Sequence, residues 1–327
     1  MTHYLTRFTQ SLVLSAAVLL TSTALPGLQG NALAQYPEKP IKVIVPFKPG
    51  GRTDTVARLL GKKIEEQKLL SQPLVIVNVP GGGGGIGGRQ ALDADPDGYT
   101  IVHWHHQMLI ANAMDIIDFG PQDWQSIGYA GGGSPVWTVR NDIGIDTLAD
   151  LVDKLHAEPR SLVEVVGIGT IPHFVGALLA QAAGFETRYV QAGSGADRLK
   201  MIAGGNADIS LFSASEYAKW ETAGRGLHAV VFFGPNRIDT IPDVPTAKEL
   251  GYDVTWANPN WWLAPKGTPQ DRIDMLAKAL QTAMMDEDIQ QYFKENSLDP
   301  YWTSGPEADA DAAAMLEQLK KVAGSIK

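Results

Sequence analysis

Three short stretches of this 327-residue chain place glycine, hydroxyl and carboxylate residues where a strand would hand over to a helix. The first is Phe47-Lys48-Pro49-Gly50-Gly51-Arg52-Thr53-Asp54. The second is Gly167-Ile168-Gly169-Thr170-Ile171-Pro172-His173, and the third Gln191-Ala192-Gly193-Ser194-Gly195-Ala196-Asp197. A turn of this kind presents unpaired backbone N–H groups and the positive end of a helix dipole. The chemistry it suits is capture of an anion, with no bond made or broken. Thr53 or Asp54 can cap the first helix and Thr170 the second, where Pro172 fits a first helical turn. A tight turn without a ligand accounts for the first stretch equally well. Three such turns in one chain are harder to assign to folding alone.

Other residues invite catalytic, metal or cofactor readings. In His103-Trp104-His105-His106 the strand period puts His103 and His105 on one face, a possible pair of metal ligands. The nearby acids Asp115 and Asp118 do not complete a familiar metal spacing. Histidines at the carboxyl end of a strand that hydrogen-bond a carboxylate are the better reading, with a plain exposed strand end as the alternative. Ser194 lies outside a G-x-S-x-G motif and His173 lacks evident acid and nucleophile partners, so a hydrolase triad has little support. The glycine run 81–88 contains G-x-G-x-x-G at Gly83, Gly85 and Gly88. The acid that would hold a ribose about 20 positions on is replaced by the histidines, and no phosphate-loop motif occurs. No cofactor, metal or catalytic residue is therefore expected. The glycine loop, Gly84 included, reads instead as a place where another backbone or a small ligand comes close. Trp104, Trp137, Trp256, Trp261 and Trp262 read as packing at strand ends, with one or two available to line an apolar pocket.

The elements that must hold these residues alternate strand and helix. Strands are expected at 41–45, 74–78, 99–104, 136–139, 162–167, 188–190, 207–212 and 228–233. Helices are expected at 53–68, 89–93, 172–183 and 196–202, with others opening at 147 and near 247–250. From Asp271 onward the pattern is helical, ending in a helix over 308–322. Such alternation predicts parallel sheets covered by helices, with ligands beyond the carboxyl ends of the strands. Two lobes joined through 135–139 and 256–265, with the cleft between them, fit best.

Composition sets the outer limits. Hydrophobic residues make up 44% and charged residues 19%, enough for real cores in a soluble protein. A formal net charge of −9 argues against nucleic acid or an anionic membrane as partner. The absence of cysteine excludes disulfides, thiolate metal sites and a lipid-attachment box. Residues 1–34 have the plan of a cleavable signal peptide: Arg7, an apolar core over 12–20, and Ala32-Leu33-Ala34 before Gln35. That core is too short to span a membrane. The expected location is the bacterial periplasm.

Tyr36-Pro37-Glu38-Lys39-Pro40-Ile41, Val45-Pro46-Phe47 with Gly50-Gly51-Arg52-Thr53-Asp54, and Ala57-Arg58 resemble the opening of the Bug-type receptors of tripartite tricarboxylate transporters. The likeness continues, in order, through the glycine loop, Pro96-Asp97-Gly98-Tyr99-Thr100, Gly169-Thr170 with His173, and Gly193-Ser194-Gly195. It ends in Ile241-Pro242-Asp243-Val244-Pro245-Thr246 and Ala264-Pro265-Lys266-Gly267-Thr268-Pro269. The resemblance implies an α/β, periplasmic-binding-protein-like fold of two doubly wound lobes, 35–137 with 258–327 and 138–257. It implies closure on a small organic carboxylate and delivery to membrane permease subunits, without catalysis and as a monomer. By the same resemblance the turn Pro49 to Asp54, with Gly50, Gly51 and Thr53, holds one carboxylate. The turns with Gly169, Thr170 and His173 and with Ser194, Gly195 and Asp197 engage the other end of the ligand. Phe47, Gly84, His105 and His106 complete the expected ligand set from their place beside these turns. His105-His106-Gln107 and Gln191-Ala192-Gly193 depart from the family pattern at the pocket, so the ligand's identity does not carry over. A dicarboxylate, aromatic in view of the tryptophans, is the expected cargo. An exported hydrolase, or a metal-binding receptor built on His103, His105 and His106, is the rival reading.

Overall fold

A computed structural model describes residues 36–192 and 194–326, so the expected signal peptide over 1–34 and Gly193 lie outside the described residues. Two mixed sheets organise the chain. The first has the order β11-β4-β10-β3-β1-β2, built from β1 (Ile41–Val45), β2 (Leu74–Asn78), β3 (Thr100–Trp104), β4 (Trp124–Gly133), β10 (Asn258–Pro265) and β11 (Asp299–Ser304). The second has the order β7-β6-β8-β5-β9, from β5 (Pro135–Arg140), β6 (Val163–Val166), β7 (Arg188–Gln191), β8 (Ile209–Ser213) and β9 (Leu227–Phe232). The helices are α1 (Arg52–Glu66), α2 (Gly85–Leu92), α3 (Gln107–Ala113), α4 (Leu148–Ala157), α5 (Ile171–Ala183), α6 (Gly195–Ala203), α7 (Ala214–Thr222), α8 (Gln270–Met284), α9 (Glu287–Glu295) and α10 (Gly305–Ile326).

The β-branched runs behave as their composition dictates. Ile41, Val43, Ile44 and Val45 are all fully buried, and β1 pairs in parallel with β2 on one side and β3 on the other. A strand buried on both faces needs no polar alternation. The expectation of parallel sheets fails at β4, β5, β10 and β11, which run antiparallel to their neighbours. Segments 135–139 and 256–265, expected as crossovers, are largely strands inside the two sheets; the first passage between sheets is Ser134, between β4 and β5. The short helix expected at 247–250 is a run of turns, and β11 interrupts the helical C-terminal region.

β4 hides because it ends in Gly131, Gly132 and Gly133, residues depleted from strands. Its glycines answer to packing: a Cβ on Gly131 would sit 2.4 Å from the Phe293 ring, and one on Gly128 2.6 Å from the Thr303 carbonyl. β10 carries two prolines, yet Trp261 and Trp262 are fully buried on its opposite faces. Trp261 Nε1 donates to Ser126 Oγ at 2.8 Å, and Trp262 stacks on His103 with ring centroids 4.4 Å apart.

The two halves also touch away from the sheets. α10 packs on β4, α3 and α5, and Gln107 Nε2 on α3 donates to the Gly169 carbonyl before α5 at 3.3 Å.

Candidate ligand-binding site

A cavity of about 610 Å³ opens between the two sheets. One wall is the turn from β1 to α1. Gly50 takes φ +84°, a conformation that glycine alone adopts freely, and this turns the chain into the helix. α1 opens at Arg52 with Gly51 as its N-cap, so neither Thr53 nor Asp54 caps it by side chain. Asp54, in the first turn, sends its carboxylate back instead: Oδ2 accepts the Gly50 N–H at 2.9 Å, and Oδ1 accepts from Arg58 Nε and Asn78 Nδ2, each at 3.0 Å. Asp54 is buried, which favours its protonated form, but the bonds from Arg58, Gly50 and Asn78 outweigh that and lower its pKa. The N–H groups of Gly51, Arg52 and Thr53 are left without a partner among the described residues. Phe47 completes this wall by stacking on His105, centroids 4.7 Å apart and planes at 4°.

The opposite wall belongs to the second sheet: Ile171 and Pro172 of α5, Arg198 of α6, the end of β8 with Ser213, and Glu216 and Lys219 of α7. Trp256, fully buried, and Ser134 sit where the chain passes between sheets. The β6-to-α5 turn contributes less than its sequence promises, because its donors are spent inside. Ile168 N–H goes to Gln191 Oε1 at 2.7 Å, Gly169 N–H to His173 Nδ1 at 3.3 Å, and Thr170 N–H to the Gly167 carbonyl at 3.0 Å. The Thr170 hydroxyl caps nothing; it donates to the same carbonyl at 2.6 Å.

Of the residues nominated from sequence, Phe47, Gly50, Gly51, Thr53 and His105 line the cavity. Asp54 stands behind them as the strut of the turn. Pro49 is exposed beside the lining residues. Gly169, Thr170 and His173 border the lining residues Ile171 and Pro172 without lining the cavity themselves, and His173 is buried edge-on against Tyr189. Ser194 and Asp197 are bound to each other across the first turn of α6, Ser194 Oγ accepting the Asp197 N–H at 3.1 Å and donating to its carboxylate at 2.6 Å. Gly195, first residue of α6, packs against the Glu216 carboxylate. Gly84 is away from the cavity. A Cβ there would meet the Trp104 ring at 2.4 Å and one on Gly88 would meet it at 2.3 Å, so the glycine loop is shaped to an indole. His106 is buried on the far side, 3.4 Å from Tyr129 Oη and 3.6 Å from Asp311 on α10.

The histidine cluster thus disperses. His103 faces Trp262, His105 faces Phe47 and the cavity, and His106 faces α10. Burial first, then the charge of Arg52, pushes His103 down to about 3 and holds His105 well below the usual imidazole range. His105 is neutral at physiological pH. Its Nδ1 accepts the Gln107 N–H at 3.2 Å, which leaves the proton on Nε2. Among the described residues no three His, Cys, Asp or Glu side chains stand close enough to hold a metal ion. Arg52, Arg198, Ser213 and Glu216 are cavity residues that no sequence pattern nominated, whereas Trp256 is one of the five tryptophans of which one or two were expected to line a pocket. The two arginines lay inside or beside quoted motifs, but nothing in a linear pattern tells a solvated arginine from one folded into a cleft.

A family model described as the tripartite tricarboxylate transporter family receptor, TctC, matches residues 56–326. A UPF0065 protein from Agrobacterium vitis, from the TAR-I ttuE-ttuC' intergenic region, is 30% identical over 94% of this chain and 89% of its own. Among solved structures, a TctC solute-binding protein from Polaromonas superposes with a TM-score of 0.76 at 23% identity, over 89% of this chain and 99% of its own. MatC from Rhodopseudomonas palustris, with bound malate, gives 0.73 at 22% identity over 88% and 100% of the two chains. A second R. palustris protein, with adipate, gives 0.75 at 22% identity over 88% and 98%. The two-sheet α/β architecture is that of these two-lobed periplasmic binding proteins. The chain belongs to the tripartite tricarboxylate transporter receptor family, a family of solute-binding receptors.

Proposed function

We propose that this receptor is exported to the periplasm by its first 34 residues, captures a small organic carboxylate in the cleft, and delivers it unchanged to a tripartite tricarboxylate-type permease. The observation that carries this reading is the wall formed by Gly51, Arg52 and Thr53, which line the cavity and whose amides have no partner among the described residues. A carboxylate oxygen there would accept hydrogen bonds from amides that no described acceptor satisfies, reinforced by the α1 dipole. The other wall comes from the second sheet, so closure of the lobes would bury both ends of one ligand. Sheet membership supports a lobe boundary at Ser134 and another in 233–257, with 36–133 and 258–326 on one side. The malate and adipate carried by two relatives of the same fold suit this reading.

The test is titration of purified mature protein with mono-, di- and tricarboxylates, followed calorimetrically. Binding at micromolar affinity or tighter, roughly −8 kcal/mol, with the ligand recovered intact by mass spectrometry, is expected. Absence of binding across the panel, or recovery of an altered compound, rules the reading out.

A further inference from the structure

The cavity is lined by two arginines, Arg52 and Arg198, that form no ion pair among the described residues. Arg198 is 7% exposed. Its Nη2 donates to the Leu211 carbonyl at 3.3 Å, its guanidinium lies 5.3 Å from the centre of the Phe212 ring, and its Nε has no partner. The acids whose charge reaches it are committed elsewhere. Glu216 accepts from the Ser213 N–H and hydroxyl at 3.2 and 2.8 Å, Asp197 is held by Ser194, and neither makes an ion pair with Arg198. Arg52, on the facing lobe, reaches only the Gly133 carbonyl, at 3.5 Å, and forms no ion pair among the described residues. Burial brings its pKa down to about 10, so it stays cationic at neutral pH. Gly133, Leu211 and Phe212 line the same cavity as the two arginines. Counting Arg52, Arg198 and Lys219 against Glu216, the ionisable lining carries a formal charge of +2 in a protein whose net charge is −9.

A buried cation without an anion, as Arg198 is, is costly, and so calls for an anion from outside the chain; Arg52 is half-buried and bears a smaller cost of the same kind. Main-chain carbonyls occupy part of each guanidinium here and leave the rest of its planar fork unused. The fork fits a carboxylate with two parallel bonds, which an ammonium cannot offer. We propose that Arg52 and Arg198 are paired anchors, one on each lobe, that take the two carboxylates of a dicarboxylate and discriminate it from monocarboxylates. This deepens the receptor reading above and rests on it. The amides at the start of α1 and the Arg52 side chain grip one end, and Arg198 grips the other.

The experiment compares adipate with hexanoate, equal in carbon number, by calorimetry on wild type, R52Q, R198Q and R198K. Wild type is expected to bind adipate at least 100-fold more tightly than hexanoate. R198Q should lose about 10- to 100-fold for adipate while hexanoate, whose one carboxylate the α1 amides and Arg52 can hold, changes less than threefold; R52Q should weaken both acids, each loss being that of a charge-assisted bidentate contact. R198K keeps the charge and should recover only part of the loss. It also keeps the test decisive should R198Q fold poorly, which the unliganded melting temperature and circular dichroism would reveal. Adipate binding within twofold of wild type in R52Q and R198K overturns the proposal and leaves the receptor reading standing. Equal loss for both acids in R198Q overturns it too, since Arg198 would then be structural. A wild type that binds other carboxylates but not adipate, succinate or malate sinks the dicarboxylate assignment alone; a wild type that binds no carboxylate sinks both.

Discussion

The β1-to-α1 turn and the β6-to-α5 turn are written in nearly the same residues and do opposite things with their amides. In the first, one acid at the third helical position takes up a single N–H, that of Gly50, and those of the next three residues, which line the cavity, have no partner among the described residues. In the second, a glutamine from β7, the ring of His173 and a backbone carbonyl absorb the donors of Ile168, Gly169 and Thr170 one after another. A glycine-rich strand-to-helix turn is therefore no measure of anion binding until its donors are accounted for. The second lobe supplies its charge from Arg198, one helix further on.

Breaking the first turn should produce the largest effect. Asp54→Ala removes three hydrogen bonds to a buried carboxylate and leaves Gly50, Arg58 and Asn78 groups unsatisfied, so a loss of about 3 kcal/mol in chemical denaturation is expected, with carboxylate affinity falling in parallel. Full affinity in a folded Asp54→Ala protein would show that the turn is not the binding wall.

The second effect is a pH dependence of opposite sign in the two lobes. Glu164 is wholly buried under Gly176; Trp137 Nε1 at 3.1 Å and Thr187 Oγ1 at 2.8 Å donate to it, and burial raises its pKa to about 7. The native state keeps a proton that the unfolded chain gives up near pH 4.5. Stability from this group is full below that value and is lost as pH rises to about 7, a decline of up to about 3 kcal/mol. Asp54, lowered instead, contributes stability that is present above the ordinary carboxylate range and lost as pH falls through its own value. Glu164→Gln should flatten the decline between pH 4.5 and 7 in a series of urea titrations, leaving the acid limb unchanged. A decline that persists in the variant would place its cause in another group.

The smallest change sharpens the comparison from the other side. His173→Ala frees the Gly169 amide and should cost about 1–2 kcal/mol in stability. Calorimetric affinity for a carboxylate should stay within threefold, since the turn does not line the cavity. An effect on affinity as large as that of Asp54→Ala would erase the distinction between the two turns.

Much of the architecture was legible where composition and burial agree. β1, β2 and α5 stand close to where their β-branched runs and the Pro172 signal put them. β4 and β10 were not legible, because Gly131 to Gly133 and the prolines of β10 look like breakers until Phe293 and the tryptophans are packed against them. In the site, Phe47, Gly50, Gly51 and Thr53 could be nominated because one local turn holds them all. Arg198 could not, since its role depends on Phe212 and on acids already engaged by helix caps, relations that only the folded chain creates.

Trp104 rests its indole on Gly84 and Gly88, with no room for even a methyl group at either position. Those positions are thus as constrained as any in the molecule while lying outside the cleft. A map of which substitutions the protein tolerates would mark them as forcefully as the binding wall, so indispensability and nearness to cargo have to be read separately here. The indole at the end of β3 is the reason the loop beside it has no side chains at these two positions.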